Sequence, residues 1–269
     1  MADNETQNWL ALAGKTAVVT GAGGGIGRGV ALELARAGVR TLVIDLDGDL
    51  AARTATEIQE TVGVESIAYS CDTRDEAMLA AAGWALIEKF GPADILVNNA
   101  GVVGRGSLFD VDMGDWQRVL DVNLSGYLLC AREFGPAMVE RGSGSIVHVS
   151  SICGINPAGA MGAYSPSKAA VAMLNRQLAL ELAPSGVRSN AVAPGLIRTP
   201  LSEAAYSDET SRSSRERAVP LHRIGTPQDI ADAVVWLASP RSGYVTGQEI
   251  LVDGGVDQTL MNTVRSADR

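Results

Sequence analysis

Aromatic residues, histidines and cysteines are scarce in this 269-residue sequence. Only two histidines occur, His148 and His222, so a His-rich metal site is not expected. The three cysteines, Cys71, Cys130 and Cys153, are an odd number without paired spacing. Such a set is typical of a reduced, cytoplasmic protein rather than of a disulfide framework.

Basic stretches and long apolar runs are absent as well. The net charge is −9 and no dense Lys/Arg stripe occurs, which argues against nucleic-acid binding. Residues 1–14 are polar and slightly acidic, without the basic start and apolar run of a signal peptide. No stretch of about 20 apolar residues occurs that could span a membrane. We therefore expect a small-molecule partner, with no nucleic-acid or membrane partner.

Short apolar runs rich in β-branched residues alternate with longer helical patterns, and hydrophobic residues make up 46% of the chain. The predicted strands are Thr16–Thr20, Thr41–Asp45, Ser66–Ser70, Asp94–Asn98, Ser145–Ser150, Val187–Val192 and Glu249–Val252. Two of the predicted helices are Ile26–Ala37, ended by Gly38, and Pro227–Ala238. The alternation predicts an α/β fold: a single Rossmann-type domain over residues 1–269, whose doubly wound parallel sheet carries helices on both faces.

The composition changes between Arg198 and Arg217, where Ser, Glu and Arg predominate. A polar segment at about 198–222 is expected to form a lid over the ligand crevice, although a plain surface insertion has the same composition. The tail, residues 257–269, is expected either to reach a neighbouring subunit or to fray.

A glycine-rich turn follows the first predicted strand and precedes the first helical pattern. It reads Thr20-Gly21-Ala22-Gly23-Gly24-Gly25-Ile26-Gly27. Glycine allows positive φ and close approach of the backbone, and the N-terminus of the following helix offers N–H groups to a pyrophosphate. Because a strand and a helix flank it as required, the turn predicts a dinucleotide site. The expected contacts are Gly21, Gly24, Gly25, Ile26 and Gly27.

Asp45 ends the second predicted strand, 18 residues after Gly27. A carboxylate there can accept hydrogen bonds from both adenosine ribose hydroxyls, and it repels a 2′-phosphate. Leu46 and Asp47 follow it, and Gly24 leaves the turn without a basic side chain. These features favour NAD over NADP, with Leu46 among the cofactor contacts, unless Asp45 only caps a turn or helix.

Several further motifs follow in order between about Gly14 and Gly255. They are Asn98-Asn99-Ala100-Gly101, Asn123 within Asp121-Val122-Asn123-Leu124, Ser150-Ser151 followed by Gly154, Tyr164-x-x-x-Lys168, Pro194-Gly195 and Val252-Asp253-Gly254-Gly255. Together with the glycine turn, they resemble the motifs of the classical short-chain dehydrogenase/reductase family. The resemblance implies an NAD(H)-dependent oxidoreductase that interconverts a secondary alcohol and a ketone by hydride transfer.

The resemblance implies catalytic roles for four side chains. Tyr164 is the expected general acid/base. Lys168 lies on the same helix face, and its ammonium, together with the nicotinamide charge, is expected to lower the pKa of the tyrosine. Lys168 is also expected to bind the nicotinamide ribose. Ser151 lies 13 residues before Tyr164, which is the family spacing for the serine that orients the substrate. Ser150 is then a structural residue. Asn123 resembles the residue that holds a water in the proton relay, but an asparagine within a helix can also serve packing.

Further positions carry over from the family as cofactor contacts. Asp72 resembles the acid that bonds the adenine amino group, with Thr73 beside it. The remaining expected contacts are Asn99, Ala100 and Gly101 at the adenosine ribose, and Pro194, Gly195, Ile197 and Thr199 at the nicotinamide carboxamide.

Pro166 lies inside the Tyr164–Lys168 span, and proline is unfavourable in a helix interior. In the first turn it loses little, because the N–H groups there lack helical partners anyway. The helix is therefore expected to begin close to Tyr164, or to bend there.

The substrate is less well determined than the chemistry. The candidate pocket segments are Val102–Leu108, Ile152–Met161 and Thr199–Tyr206, whose apolar side chains favour an uncharged or weakly polar ketone or alcohol. Arg105 and Arg198 could meet an anionic group, or could simply be exposed. A 3-oxoacyl-thioester reductase and a non-catalytic NAD(H) sensor remain as alternatives.

Other interpretations carry less weight. A sugar-nucleotide epimerase or dehydratase is disfavoured by the short segment after Gly195. Cys153 is expected to be an apolar filler, and His148 a core residue, while His222 is the better substrate-contact candidate of the two histidines. The family resemblance also implies a homo-oligomer, either a tetramer or a dimer.

Overall fold

One sheet of seven parallel strands runs through the protein in the computed structural model, which describes residues 9–259. The strands are β1 (Thr16–Thr20), β2 (Arg40–Asp45), β3 (Ser66–Ser70), β4 (Ile95–Asn98), β5 (Gly144–Val149), β6 (Val187–Pro194) and β7 (Glu249–Val252). Their order is β3-β2-β1-β4-β5-β6-β7, and every adjacent pair is parallel. This is the doubly wound, Rossmann-type arrangement expected from the sequence.

Helices make most of the connections between strands. They are α1 (Gly25–Arg36), α2 (Gly48–Val62), α3 (Glu76–Phe90), α4 (Met113–Leu120), α5 (Gly126–Phe134), α6 (Pro136–Arg141), α7 (Tyr164–Leu182), α8 (Glu209–Ala218) and α9 (Pro227–Ala238). A π-helical turn, Asp121–Ser125, joins α4 to α5.

Both faces of the sheet are buried beneath helices. Along β1, Ala17 and Val19 belong to one apolar cluster, whereas Val18 between them belongs to a second. The first cluster contains side chains of α1, α2 and α9, and the second contains side chains of α3, α5 and α7. Because successive side chains of a strand point to opposite faces, burial on both sides produces continuous apolar runs in the sequence.

The end of α1 and the start of α7 lie where the sequence predicted them. α1 ends at Arg36, and Gly38 follows the C-cap Ala37 with φ 82°, the left-handed conformation that often ends a helix. α7 begins at Tyr164, so Pro166 lies in its first turn, where its missing N–H removes no helical hydrogen bond.

The chain departs from the central pair β1 and β4 in opposite directions, which makes the carboxyl ends of these strands the topological switch point. Thr20 ends β1 here, and Asn98 ends β4. Ligands of open α/β sheets bind in the crevice outside this point. The glycine turn after Thr20 and the segment after Asn98 therefore border the expected ligand crevice.

Residues 198–222 lie between β6 and α9 and contain a short 3-10 turn, Glu203–Tyr206, followed by α8. The Leu221 N–H donates to the Gly254 carbonyl oxygen at 3.2 Å, which ties this segment to the residues after β7. Residues 260–269, most of the predicted tail, lie outside the described residues. Within residues 9–259, no helix is long and apolar enough to cross a membrane.

Candidate active site

The glycine turn between β1 and α1 brings backbone atoms closer together than side chains would allow. Gly21 has φ 61°, and a Cβ there would lie 2.7 Å from Ala100 Cα. A Cβ on Gly27 would overlap the Gly21 carbonyl oxygen and the Asn99 side-chain nitrogen. Gly24 differs, because no atom lies within 4 Å of the place where its Cβ would be. The turn is therefore held tightly against the residues after β4, while Gly24 faces open space.

The amino terminus of α1 carries no side-chain cap. Its N-cap, Gly24, makes no side-chain hydrogen bond, and no acidic residue lies in the first turn. Within the described chain, α2, α3, α4 and α8 are instead capped by the carboxylates of Asp47, Asp75, Asp112 and Asp208. The first N–H groups of α1 are thus left for an external anion, so the residues present fit the pyrophosphate of a dinucleotide.

Asp45 lies at the carboxyl end of β2, directly beside the glycine turn. Its Oδ2 accepts the Gly23 N–H at 2.8 Å, and its Oδ1 accepts the Asp47 N–H at 3.0 Å. Leu46, the next residue, is 70% exposed. The carboxylate is therefore fixed against the turn at the position where the adenosine ribose is expected.

Asn99 joins the ends of the two central strands. Its Nδ2 donates to the carbonyl oxygens of Thr20 and Gly21, both at 2.9 Å. Its own N–H and that of Ala100 donate to Thr20 Oγ1, at 3.0 and 3.1 Å. These four bonds fix the position of the glycine turn relative to the segment after β4.

Lys168 is buried at the carboxyl end of β5, with 4% of its surface exposed. Its Nζ donates to the Val149 carbonyl oxygen at 2.8 Å and to the Tyr127 hydroxyl at 3.4 Å. The same Nζ lies 5.9 Å from the centroid of the Tyr164 ring. Desolvation by burial lowers the pKa of Lys168 from 10.5 to about 7.

The Ser151 side chain lies near the Tyr164 phenol and acts on its pKa. Burial raises the pKa of Tyr164 above its ordinary value, the Ser151 side chain offsets part of this, and the nearby Cys153 thiol raises the pKa further. The protein alone therefore keeps the phenol protonated, and the lowered pKa expected from the sequence, which relied on the nicotinamide charge as well as on Lys168, stays a prediction. Lowering it requires positive charge close to the phenol, and the Lys168 ammonium is the nearest candidate.

The two serines after β5 have different surroundings. The Ser150 hydroxyl donates to the Val192 carbonyl oxygen at 3.0 Å and is thereby tied to the sheet. Ser151 has an extended backbone, and its Oγ accepts the Cys153 N–H at 3.1 Å. The Ser151 hydroxyl proton is consequently left to donate to another acceptor. This geometry agrees with the choice of Ser151 as the serine that meets the substrate.

Asn123 lies in the π-helical turn and is fully buried. Its Oδ1 accepts the Val102 N–H at 2.8 Å, and its Nδ2 donates to the Val102 carbonyl oxygen and to Ser167 Oγ, both at 3.0 Å. Both amide hydrogens are used, which leaves one lone pair on Oδ1. The side chain therefore clamps the segment after β4 onto the π-helical turn and the first turn of α7.

Asp72 and Thr73 follow β3. The Asp72 carboxylate pairs with Arg74 at 2.6 Å, and this hydrogen-bonded partner holds the pKa of Asp72 below its usual range. Thr73 is buried, and its Oγ1 lies 2.9 Å from the place of a Cβ on Gly126. A ligand that bonds to Asp72 therefore has to share its carboxylate with Arg74.

The loop after β6 reaches across to the glycine turn. A Cβ on Gly195 would lie 2.6 Å from Asp253 Cα, so the start of the loop packs against the residue after β7. Thr199 Cβ lies 3.4 Å from the place of a Cβ on Gly25. Pro194, the last residue of β6, and the loop residues Gly195, Ile197 and Thr199 thus border the crevice.

Tyr127 was not among the residues singled out from the sequence. It lies four residues after Asn123, and that helical spacing is the only signal that could have drawn attention to it. Its contact with Lys168 joins positions 41 residues apart, which no local pattern indicates. The structure adds Tyr127 to the residues around the candidate site.

His148 is fully buried in β5, as expected of a core histidine. Its burial lowers the pKa from 6.5 to about 3, and the Lys168 charge acts in the same direction. The unfolded chain therefore binds a proton at His148 over a pH range in which the native protein does not.

We expect the free energy of unfolding to fall as the pH is lowered from 6.5 towards 3, in part because of His148. One such proton contributes a slope of about 1.4 kcal/mol per pH unit. His148→Asn should remove this share of the slope in urea unfolding measured at several pH values. His222→Asn is the matched control, because His222 is exposed and its φ of 53° is one that asparagine tolerates. Equal slopes for wild type and His148→Asn would contradict the prediction.

The fold and the site together define an α/β dinucleotide-binding protein whose crevice holds a tyrosine, a buried lysine and a serine. The model of a family described as enoyl-(acyl carrier protein) reductase matches residues 21–257. The 7α-hydroxysteroid dehydrogenase of Escherichia coli K12 is 37% identical over 251 residues, covering 93% of this chain and 97% of that protein.

Among solved structures, dehydrogenases also match this chain. A 7α-hydroxysteroid dehydrogenase complexed with NADH and 7-oxo glycochenodeoxycholic acid matches with a TM-score of 0.87 and 36% identity, over 95% of this chain and 97% of the other. A gluconate 5-dehydrogenase from Burkholderia cenocepacia J2315, in complex with NADP and tartrate, matches with a TM-score of 0.86 and 31% identity, over 91% and 96%.

The chain therefore belongs to the classical short-chain dehydrogenase/reductase family, and the resemblance inferred from its motifs is confirmed. It is an oxidoreductase that interconverts a secondary alcohol and a ketone.

Proposed function

We propose that the protein transfers hydride between NAD(H) and its alcohol or ketone substrate, with Tyr164 as the general acid/base. When bound, the nicotinamide supplies the hydride donor or acceptor. The observation that carries the proposal is the meeting of three groups: the Ser151 side chain acts on the pKa of Tyr164, and the buried Lys168 Nζ lies 5.9 Å from the tyrosine ring.

These side chains can bind one oxygen atom and move one proton. In ketone reduction, the Ser151 hydroxyl donates a hydrogen bond to the carbonyl oxygen, and Tyr164 gives its phenolic proton to that oxygen. The tyrosinate left behind is stabilised by the Lys168 ammonium. In alcohol oxidation, the tyrosinate takes the hydroxyl proton instead. Asn123 keeps the crevice wall in place, and its remaining lone pair on Oδ1 is available to a water of the proton relay.

The other predicted residues are assigned to the cofactor. We place the pyrophosphate at the uncapped start of α1, and the adenosine beside the fixed carboxylate of Asp45. The proposed contacts are Gly21, Gly24, Gly25, Ile26, Gly27, Asp45, Leu46, Asp72, Thr73, Asn99, Ala100, Gly101, Tyr164, Lys168, Pro194, Gly195, Ile197 and Thr199. Solved structures of the family hold either NADH or NADP, so the preference for NAD rests on Asp45.

The double variant Asp45→Asn/Leu46→Arg is expected to change the cofactor preference. Asparagine keeps an acceptor for the Gly23 N–H but removes the charge, and arginine at the exposed position 46 can pair with a 2′-phosphate. The ratio of kcat/KM for NADP to that for NAD should rise by roughly 100-fold, measured by NAD(P)H absorbance.

Leu46→Arg alone is the control for this change, because it adds the positive charge while Asp45 stays. It should produce a much smaller shift than the double variant. A wild-type enzyme that prefers NADPH would refute the proposed role of Asp45.

For the substrate, we propose a bulky apolar ketone or its alcohol. Leu108, Ile155, Leu201 and Leu221 are 44–67% exposed and come from the loops after β4, β5 and β6, which lie at the same edge of the sheet. Arg198 pairs with Glu203 at 2.6 Å, which disfavours a strongly anionic substrate. The hydroxysteroid dehydrogenase among the relatives makes fused-ring ketones the first compounds to assay.

A comparison of three substrate classes with NADH tests this function. Fused-ring ketones should be reduced with a higher kcat/KM than short linear ketones or 3-oxoacyl thioesters. Preference for the thioesters would replace the proposal by the alternative reductase function. Tight NADH binding without turnover of any of the three would place the substrate in another class of ketone or alcohol.

We further propose that the protein is a cytoplasmic homo-oligomer, a single domain in which residues 198–222 cover the substrate as a lid. Apolar side chains on the outer faces of α5 and α7 support the oligomer: Leu128, Met173 and Leu180 are 40–73% exposed. Such a surface is typical of protein–protein contacts. A monomeric mass in sedimentation equilibrium would contradict this part of the proposal.

A further inference from the structure

Tyr127 lies directly beneath the candidate catalytic lysine. It belongs to the first turn of α5, and 1% of its surface is exposed. Its hydroxyl donates to the Val149 carbonyl oxygen at 3.1 Å, and Lys168 Nζ lies 3.4 Å from the same hydroxyl. Lys168 Nζ also lies 5.3 Å from the centroid of the Tyr127 ring.

The direction of these hydrogen bonds follows from the number of protons. A phenol has one hydroxyl proton, and Tyr127 uses it to donate a hydrogen bond to the Val149 carbonyl oxygen. The Tyr127 hydroxyl oxygen therefore accepts the hydrogen bond from Lys168 Nζ through a lone pair. Burial raises the pKa of Tyr127 well above its ordinary value, so this hydroxyl remains neutral. Lys168 Nζ also donates to Val149 at 2.8 Å. The ammonium therefore has two neutral acceptors, while its buried surroundings disfavour its charge.

His148 holds the Tyr127 ring from the other side. The two rings stack with centroids 5.9 Å apart and an interplanar angle of 20°. Asn98 Nδ2 donates both to the Tyr127 carbonyl oxygen at 3.0 Å and to His148 Nδ1 at 3.3 Å. On the far side, His148 Nε2 meets Ser189 Oγ at 3.2 Å, and Ser189 donates to Asn175 Oδ1 at 2.9 Å. These hydrogen bonds all fit a neutral His148 that is protonated on Nε2: its Nδ1 accepts from Asn98, and its Nε2–H donates to Ser189.

We propose that Tyr127 is a positioning residue whose hydroxyl holds the Lys168 ammonium in the place from which it acts on Tyr164. This inference rests on the proposed roles of Tyr164 and Lys168. It adds a residue on α5 that touches neither of the reacting oxygens and acts through the lysine.

The titratable groups that face Lys168 are Tyr127 from α5, His148 from β5 and Tyr164 from the same helix. Within residues 9–259, the ion pairs made by lysines are Lys15–Asp94 and Lys89–Glu65, so no carboxylate there compensates Lys168. Each neutral acceptor therefore matters for keeping the lysine charged. Removing the Tyr127 hydroxyl should lower the pKa of Lys168 further and weaken its effect on Tyr164.

The chain offers a direct measurement, because it contains three lysines: Lys15, Lys89 and Lys168. With isotope-labelled lysine, the Cε resonance of each can be followed by NMR as the pH changes, and a Lys168→Met variant identifies the buried one. In Tyr127→Phe, the titration midpoint of Lys168 should move down by about half a unit to one unit. The resonances of Lys15 and Lys89, in their surface ion pairs, serve as internal references.

Tyr69→Phe is the control, since it also removes one phenolic hydroxyl, but from a partly buried tyrosine on β3, away from Lys168. It should leave the Lys168 midpoint unchanged. Tyr127→Met fills the space without a hydroxyl and should shift Lys168 in the same direction as Tyr127→Phe. An unchanged Lys168 midpoint in a folded Tyr127 variant would overturn the inference.

Kinetics provide the second readout. In alcohol oxidation, the rising limb of the kcat/KM pH profile should move to higher pH in Tyr127→Phe, by a similar amount, and not in Tyr69→Phe. A wild-type enzyme without turnover would refute the proposed function, and the NMR titration would still decide the role of Tyr127. A wild-type enzyme with turnover and an unmoved Tyr127→Phe profile would refute the further inference alone.

Discussion

Tyr164→Phe is expected to lower kcat by roughly 10²- to 10⁴-fold, the usual contribution of a positioned proton donor or acceptor. Phenylalanine keeps the packing of the ring at the start of α7 but has no proton to exchange with the substrate oxygen. The Kd for NADH, measured by fluorescence, should change little. Unfolding in urea should show that the variant remains folded.

The control for this variant is Tyr69→Phe, which removes a hydroxyl on β3 and should keep wild-type kcat. If Tyr164→Phe kept kcat within a few-fold of wild type, another group would have to move the proton. Loss of NADH binding together with activity would instead indicate that the substitution had disturbed the cofactor site.

Gly27→Ala is expected to raise the Kd for NADH by about 10- to 100-fold, which corresponds to the 1–3 kcal/mol typical of an overpacked site. The added methyl group would overlap the Gly21 carbonyl oxygen and the Asn99 Nδ2. Asn99 also bonds to Thr20, so these groups cannot move apart without shifting the start of α1 from the end of β1. Isothermal titration with NADH measures the effect.

Gly24→Ala is the matched control in the same turn. Its backbone is extended, with φ −166°, and no atom lies within 4 Å of the new methyl position. Its effect on protein stability should therefore be small. Any loss of NADH affinity in this variant reports contact with the ligand rather than distortion of the turn. Unchanged NADH binding by folded Gly27→Ala would contradict the proposed dinucleotide site.

Much of the fold was predictable because a parallel sheet leaves a simple pattern. A strand such as β1 is covered on both faces, so all five of its residues are buried and its run TAVVT is apolar throughout apart from its ends. Gly38 was predicted to end the first helix. In the structure, Ala37 is the C-cap and Gly38 follows it in the left-handed conformation. The helix end was predictable because it depends only on the local backbone conformation. The alternation of strands and helices predicted a doubly wound parallel sheet. The order of its strands was not predicted, because it depends on which distant strands pair with each other.

The candidate site was predictable to the extent that its residues lie in short motifs. Tyr164 and Lys168 are one helical turn apart, so their proximity follows from helix geometry alone. The glycine turn lies between a strand and a helix, and its position at the switch point follows from the sheet. The functional identities of Ser151 and Asn123 came instead from the resemblance to the family, since neither residue has a local pattern of its own.

Other features depended on contacts between distant parts of the chain. The clamp of Asn123 on Val102 joins positions 21 residues apart, and the contact of Tyr127 with Lys168 joins positions 41 residues apart. The pKa of Lys168 is lowered to about 7 because β5 and α5 enclose its side chain, which the lysine's neighbours in sequence do not indicate.

The sequence by itself determined the α/β class, the positions of the strands along the chain, the glycine turn and the tyrosine–lysine pair. Periodic burial and helical spacing are local, so residue order is enough to reveal them. Only the tertiary structure decided which groups surround that pair: the Ser151 hydroxyl near Tyr164, and the Tyr127 hydroxyl beside Lys168. The shifted pKa values of Tyr164 and Lys168 follow from this enclosure, because desolvation acts through space and not along the chain.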